Sequence, residues 1–444
     1  LVFGRFRDRL PALSRLREEG IWGRLRSCDP PITVPAWMVM MSGKDPGTLG
    51  FTGFRNRADR SYDRLSLASS RSVREPLLWD LLGAAGKRVI LLGVPQTYPP
   101  RAVNGVMVSG FPVPGPEAEY TYPRELKREL FAAAGEYIPD LAEFRTEDKA
   151  RLRDDILRMT EKRFAAARHL LSSRPWDLFL MVEMGTDRVH HGFWKHMDPT
   201  HPRHQPGSPW ERVIEEYYAY VDREIARLLE ALPADTHVLV VSDHGATALH
   251  GGICVNEWLI RKGYLVLAEP PRGPTRFEAL KVDWSRTRAW GEGGYYARVF
   301  INLEGREPRG TVRAGEYEAF RDALARELEA IPDPEGRPIA TRALKPETLY
   351  RKLNGIPPDL MVYFGDLRWR SVGSVGTGSI HAAENDTGPD DANHDFHGLF
   401  ILKGPSVAAR GERPGARITD ILPTALGILG VEAPADLEGR DLLR

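Results

Sequence analysis

The chain has 444 residues, with 61 basic side chains against 61 acidic ones and 42% hydrophobic residues. At roughly 150 residues per domain, that length suits about three domains or one large α/β domain with insertions, and the apolar fraction supplies a sizeable core. Zero net charge excludes the electrostatic footprint of a nucleic-acid or anionic-membrane binder, and no run reaches the ~18 uninterrupted apolar residues of a membrane span. Two cysteines, Cys28 and Cys254, exclude a disulfide framework and favour a reducing, cytoplasmic compartment.

Phe3, Phe6, Leu10, Leu13 and Leu16 recur at three- and four-residue spacing. They predict an amphipathic opening helix that Pro11 kinks or breaks and Gly20 caps. No strand precedes that helix, whereas α/β domains commonly open with one, so an N-terminal strand is expected to be missing. Apolar runs at 88–93, 177–183, 237–242, 298–303, 359–364 and 399–402 predict buried parallel strands. Helical patterns cover 146–171, 211–232, 316–330 and 421–429. The alternation predicts one α/β domain, a mostly parallel central sheet with helices on both faces, whose ligands gather at the carboxyl ends of the strands. Two stretches break this rhythm. The proline-rich 95–123 reads as a long loop, and 270–310 reads as part of a cap or insertion over about 265–310; both also suit packing loops.

Eight of the twelve histidines fall between His190 and His250. Asp187 and His191 sit four residues apart after the 177–183 run, a spacing that puts them on one helical face and allows a shared metal. A surface pair has the same spacing. Asp243-His244-Gly245 ends the 237–242 run, and Gly245 permits a tight turn. Adjacent Asp and His can reach one cation only if the backbone kinks between them; otherwise each serves a different partner. Asn393-His394-Asp395-Phe396-His397-Gly398 precedes the last apolar run, and its spacing does not choose between His394 and His397. Thr33 is bracketed by Pro31 and Pro35. Beside a cation its hydroxyl is an activated nucleophile; without one it is a threonine in a proline-rich loop.

Taken together, these elements resemble the alkaline phosphatase superfamily, and within it the type I phosphodiesterase/nucleotide pyrophosphatase branch and related bacterial phosphohydrolases. Thr33, Pro35, Ser42 and Gly43 reproduce the spacing around that branch's nucleophile. Ile418-Thr-Asp-Ile-Leu-Pro423-Thr and Leu437-Glu-Gly439-Arg440 resemble its C-terminal signature. The resemblance implies an alkaline-phosphatase-like fold over nearly the whole chain and two divalent cations, zinc, with manganese compatible. Asp187, His191 and His394 would hold the first cation, and Asp243, His244 and the Thr33 oxygen the second. His394 is preferred over His397 because it stands four residues before Gly398.

The sequence departs from the pattern twice. One further Asp ligand, carried by the first strand in relatives, has no counterpart in these residues. The position of an Asn that holds a phosphoryl oxygen is Phe54 here, which leaves Asn56 as the substrate-binding candidate. The resemblance implies in-line attack by Thr33 on a small-molecule phosphoester, a phospho-threonine intermediate and its hydrolysis. Phosphomutase or phosphonate hydrolase activity, or a binding protein that keeps the fold, are the alternatives. A sulfatase is disfavoured, because its modified Cys or Ser nucleophile is followed by Pro and then Arg, unlike Thr33-Val-Pro35-Ala-Trp37.

Overall fold

The computed structural model describes residues 1–444. Successive side chains of a strand point to opposite faces, and Val89–Val94 shows how that builds the layers. Val89 and Leu91 pack with the helices Thr33–Ser42, Leu78–Ala84 and Ile421–Ile428. Ile90 and Leu92 pack with Leu126–Ala134 and Lys149–Ser173. The strand His397–Lys403 repeats the arrangement. Phe400 and Leu402 join the first layer, and Ile401 meets the helices Pro11–Glu19, Gly185–Met197 and Val213–Glu230. Helices therefore cover both faces, as the α/β pattern requires.

Strand direction is more mixed than the apolar runs imply. Val89–Val94 pairs in parallel with Gly105–Ser109 and with Leu178–Met181. In the neighbouring sheet, His397–Lys403 pairs antiparallel with both Ile21–Arg26 and Val238–Val241. An apolar run reports burial on both faces and leaves direction open. Leu178–Met181 and Val238–Val241 are each paired along one edge only. Both line a cavity of about 1160 Å³, into which Leu1 and Val2 also project.

The opening segment differs from expectation. Residues Arg7–Arg9 form a 3-10 turn, and the helix begins at Pro11, where a missing N–H has no intrahelical partner to lose. Gly20 is extended rather than a left-handed cap; a Cβ there would lie 2.2 Å from the Leu402 carbonyl oxygen. Within 95–123, Gly105–Ser109 forms a buried strand between proline-rich turns. A second core gathers residues between Ile253 and Trp369. There the helices Val255–Arg261 and Tyr317–Glu329 pack on an antiparallel sheet ordered Ala289–Glu292, Ala297–Ile301, Leu360–Tyr363, Arg342–Leu344. The 265–310 stretch supplies two of its strands.

Candidate active site

Thr33 is the first residue of the helix Thr33–Ser42, with extended Ile32 before it. It is therefore a helix-start residue rather than a loop residue, at the end where free backbone N–H groups favour negative charge. The backbone bends at Asp243, two residues past the end of Val238–Val241, and that bend turns two adjacent side chains toward one point. His244 Nε2 lies 3.3 Å from Asp243 Oδ2 and 3.3 Å from Thr33 Oγ1.

Asp187 enters in the first turn of Gly185–Met197, the helix that follows Leu178–Met181. The i,i+4 spacing brings His191 Nε2 to 3.4 Å from Asp187 Oδ1. His394, on the strand Ala392–Asp395, places its Nε2 3.6 Å from the same oxygen. These three side chains form a group able to hold a metal ion, with ligand atoms within 4.8 Å of one another. The His244 and His394 rings stack at 3.6 Å, which joins the two clusters into one centre. His190 turns away to Tyr218, 3.0 Å from its hydroxyl.

In all three rings of the centre Nδ1 is engaged, so Nε2 is the nitrogen that faces the cluster. His244 Nδ1 bonds the Gly245 carbonyl at 2.9 Å, His394 Nδ1 the Pro31 carbonyl at 2.7 Å, and His191 Nδ1 the Asp390 carboxylate at 2.6 Å. Arg188 donates to Asp187 at 2.5 Å and grips Asp140 through two nitrogens. Burial favours the neutral acid at Asp187, but the neighbouring His191 and Arg188 hold its carboxyl well below the usual range. Burial and the nearby His244 push His394 well below the ordinary imidazole value, so its ring is neutral and able to ligate. Burial raises Asp243, and the charge of Asp187 adds to that rise.

The donor set fits divalent cations. His394 Nε2 and Asp243 Oδ2, one atom from each cluster, are buried with no hydrogen-bond partner. An unsatisfied buried polar atom is costly, and a cation is the partner both can accept. Carboxylate oxygens and neutral imidazole nitrogens suit zinc or manganese.

Thr33, Asp187, His191, Asp243, His244 and His394 thus converge. Asn56 does not join them: its amide accepts from Thr52 N–H at 3.0 Å and donates to the Gly53 carbonyl at 2.8 Å, closing its own turn. His397 is exposed and lies 3.7 Å from Asp395. Ser42 and Gly43 act on the helix instead, Ser42 Oγ donating to the Met38 carbonyl and Gly43 ending the helix at φ +65°. Asp390 and Arg188 were not singled out from the sequence. Arg188 stands inside the Asp187–His191 motif and is a visible neighbour, whereas nothing in the spacing marks Asp390.

The chain matches the type I phosphodiesterase/nucleotide pyrophosphatase family over residues 2–397. It belongs to that family. Its members are phosphoric ester hydrolases, and this chain is accordingly an enzyme of that class. Divalent-cation dependence goes with the family, and the group of Asp187, His191 and His394 is one place to hold such a cation. Among solved structures, human ectonucleotide pyrophosphatase/phosphodiesterase 5 is similar at TM-score 0.55 and 14% identity, over 96% of this chain and 91% of that one. Phosphonoacetate hydrolase from Sinorhizobium meliloti is similar at TM-score 0.57 and 16% identity, over 96% and 91%. At such identities the likeness is one of fold, alkaline-phosphatase-like in both cases. No curated protein sequence matches the chain. No helix is long and apolar enough to cross a membrane.

Proposed function

We propose that this family member hydrolyses a small-molecule phosphodiester or nucleotide-like pyrophosphate at a two-cation centre, with Thr33 as nucleophile. The observation that carries the reading is the position of Thr33 Oγ1. It sits at a helix N-terminus, 3.3 Å from His244 Nε2, in the same cluster as the unpartnered Asp243 Oδ2. Asp187, His191 and His394 would hold one cation, and Asp243, His244 and Thr33 the other, with zinc the best match to these donors and manganese compatible. When bound, the cations supply charge to lower the Thr33 hydroxyl pKa and to balance the phosphoryl oxygens.

The chain's own residues do the rest. The rigid turn from Pro30 through Ile32 and the first helical turn fix the Thr33 hydroxyl, and the stacked His244 and His394 rings form a wall beside it. Thr33 Oγ, its proton lost to solvent, attacks phosphorus as the bond to the ester oxygen breaks and the leaving group takes up a proton, giving phospho-threonine. Water then attacks the same phosphorus, and a proton returns to Thr33 Oγ as the Thr33–phosphate bond breaks. Neutral His394 and ionised Asp187 stay in the protonation states that ligation needs.

The test is zinc- or manganese-supplemented hydrolysis of a chromogenic phosphodiester by the chain and by Thr33→Ala. Loss of roughly 10³-fold or more in kcat, with bound metal retained, is expected for removal of a covalent nucleophile. Parental activity in Thr33→Ala would sink the assignment.

A further inference from the structure

His191 differs from the other two rings of the centre in what its Nδ1 meets. His244 and His394 each face a backbone carbonyl, whereas His191 faces a carboxylate, Asp390 Oδ1, at 2.6 Å. Asp390 is 1% exposed, and its position is over-determined. Its Oδ2 receives Arg145 Nε at 2.9 Å and Arg370 Nη1, so neither oxygen is free to turn. The backbone alongside is tied to the same helix, since Asp391 N–H donates to the His191 carbonyl at 2.9 Å. Asp390 also lies two residues before the strand Ala392–Asp395, which carries His394. One short stretch of chain thereby presents one candidate ligand and grips another.

We propose that Asp390, clamped by Arg145 and Arg370, is a positioning residue for the cation held by Asp187, His191 and His394. The inference rests on the reading of those three as ligands. By accepting the Nδ1–H of His191, the carboxylate fixes the tautomer in which Nε2 carries the lone pair, aimed at the space shared with Asp187 Oδ1. The hydrogen bond to an anion also makes that nitrogen a stronger donor, and outer partners of this kind typically set metal affinity by ~10–100-fold. The two guanidiniums keep Asp390 from swinging in to become a ligand itself and offset the cost of burying its charge.

Zinc affinity, measured by competition with a chromogenic chelator, separates this role from a structural one. Asp390→Asn is expected to weaken zinc binding by ~10–100-fold while the metal-free protein stays folded by circular dichroism, and Asp390→Glu is expected to recover part of the loss. Cobalt loaded in place of zinc is expected to show an altered visible spectrum in Asp390→Asn, a signal that a purely structural residue leaves alone. Unchanged zinc affinity in Asp390→Asn beside a weakened His191→Ala overturns the proposal and leaves the ligand reading intact. Unchanged affinity in both overturns the ligand reading and the proposal together. If Asp390→Asn does not fold, ¹⁵N-histidine spectra of the zinc-loaded parent decide: a strongly downfield Nδ1 proton on His191 supports the clamp, and ligation through Nδ1 refutes it.

Discussion

Asp187 Oδ1 is approached by two imidazole nitrogens, from His191 and His394, while Oδ2 is held by Arg188. A carboxylate so placed is already ionised and aimed before any cation arrives. Asp187→Ala and His394→Ala are therefore expected to lose the cation of that cluster, seen as lower zinc content by atomic emission, by more than the ~10–100-fold in affinity expected of an outer partner. Thr33→Ala is expected to keep it. The residues legible in the sequence were those whose chemistry is compressed into a few positions: Asp187 with His191, and Asp243 with His244. His394 needed the family resemblance to be preferred over His397. Their supports were not legible, because the contacts run across the fold: His191 to Asp390 spans 199 residues, Arg145 to Asp390 spans 245, and Arg188 to Asp140 spans 48. Asn56 shows the opposite failure. A plausible residue type near a plausible position spends both ends of its amide on its own turn.

The helix that carries Thr33 is fixed by what ends it. Gly43 takes φ +65°, and a Cβ there would come within 2.9 Å of Leu437 Cδ2. Lys44 and Asp45, just beyond, bind the Asp436 carbonyl and the Glu438 side chain. Asp420 in turn accepts Arg417 N–H and Arg440 N–H, which folds the C-terminal segment onto itself. The left-handed conformation costs a residue with a Cβ ~1–2 kcal/mol, so Gly43→Ala is expected to lower thermal stability by about that amount, with zinc content unchanged. Differential scanning calorimetry with metal analysis checks both halves. Long helices were legible to within a few residues, as in Val213–Glu230 against 211–232, because a 3.6-residue period needs no partner to be seen. Strand partners and their directions were not. Ile21–Arg26 escaped notice because Gly23, Arg24 and Arg26 interrupt its apolar residues, although Ile21, Gly23 and Leu25 share its buried face.

At the scale of the molecule, buried histidines set the acid limit. Burial pushes His190 down to about 3 and His196 and His201 down to about 4. An unfolded chain protonates such rings near pH 6.5, whereas the folded chain does not until about pH 4 or below, so their contribution is complete above ~6.5 and is lost as pH falls. Asp391, raised by burial to about 6, and Asp243, also raised by burial, work in the opposite sense, against these three rings and His394, which burial also lowers. The urea midpoint of the metal-free chain is therefore expected to fall between about pH 6.5 and 4.5; a midpoint that holds or rises would contradict this balance. Composition made the size of the core legible, but not its division, since the second core between Ile253 and Trp369 has the same residue types as the first. A last consequence follows from the join between the helix of Thr33 and the C-terminal segment. Val34 to Met41 share a core with Ile418, Ile421, Leu422 and Leu426, nearly four hundred residues later. During synthesis the helix of Thr33 is made well before the residues that brace it, and it packs fully only once Ile418, Ile421, Leu422 and Leu426 have been added. A chain interrupted before Ile418 would leave the Thr33 hydroxyl on a helix with one side of its packing absent.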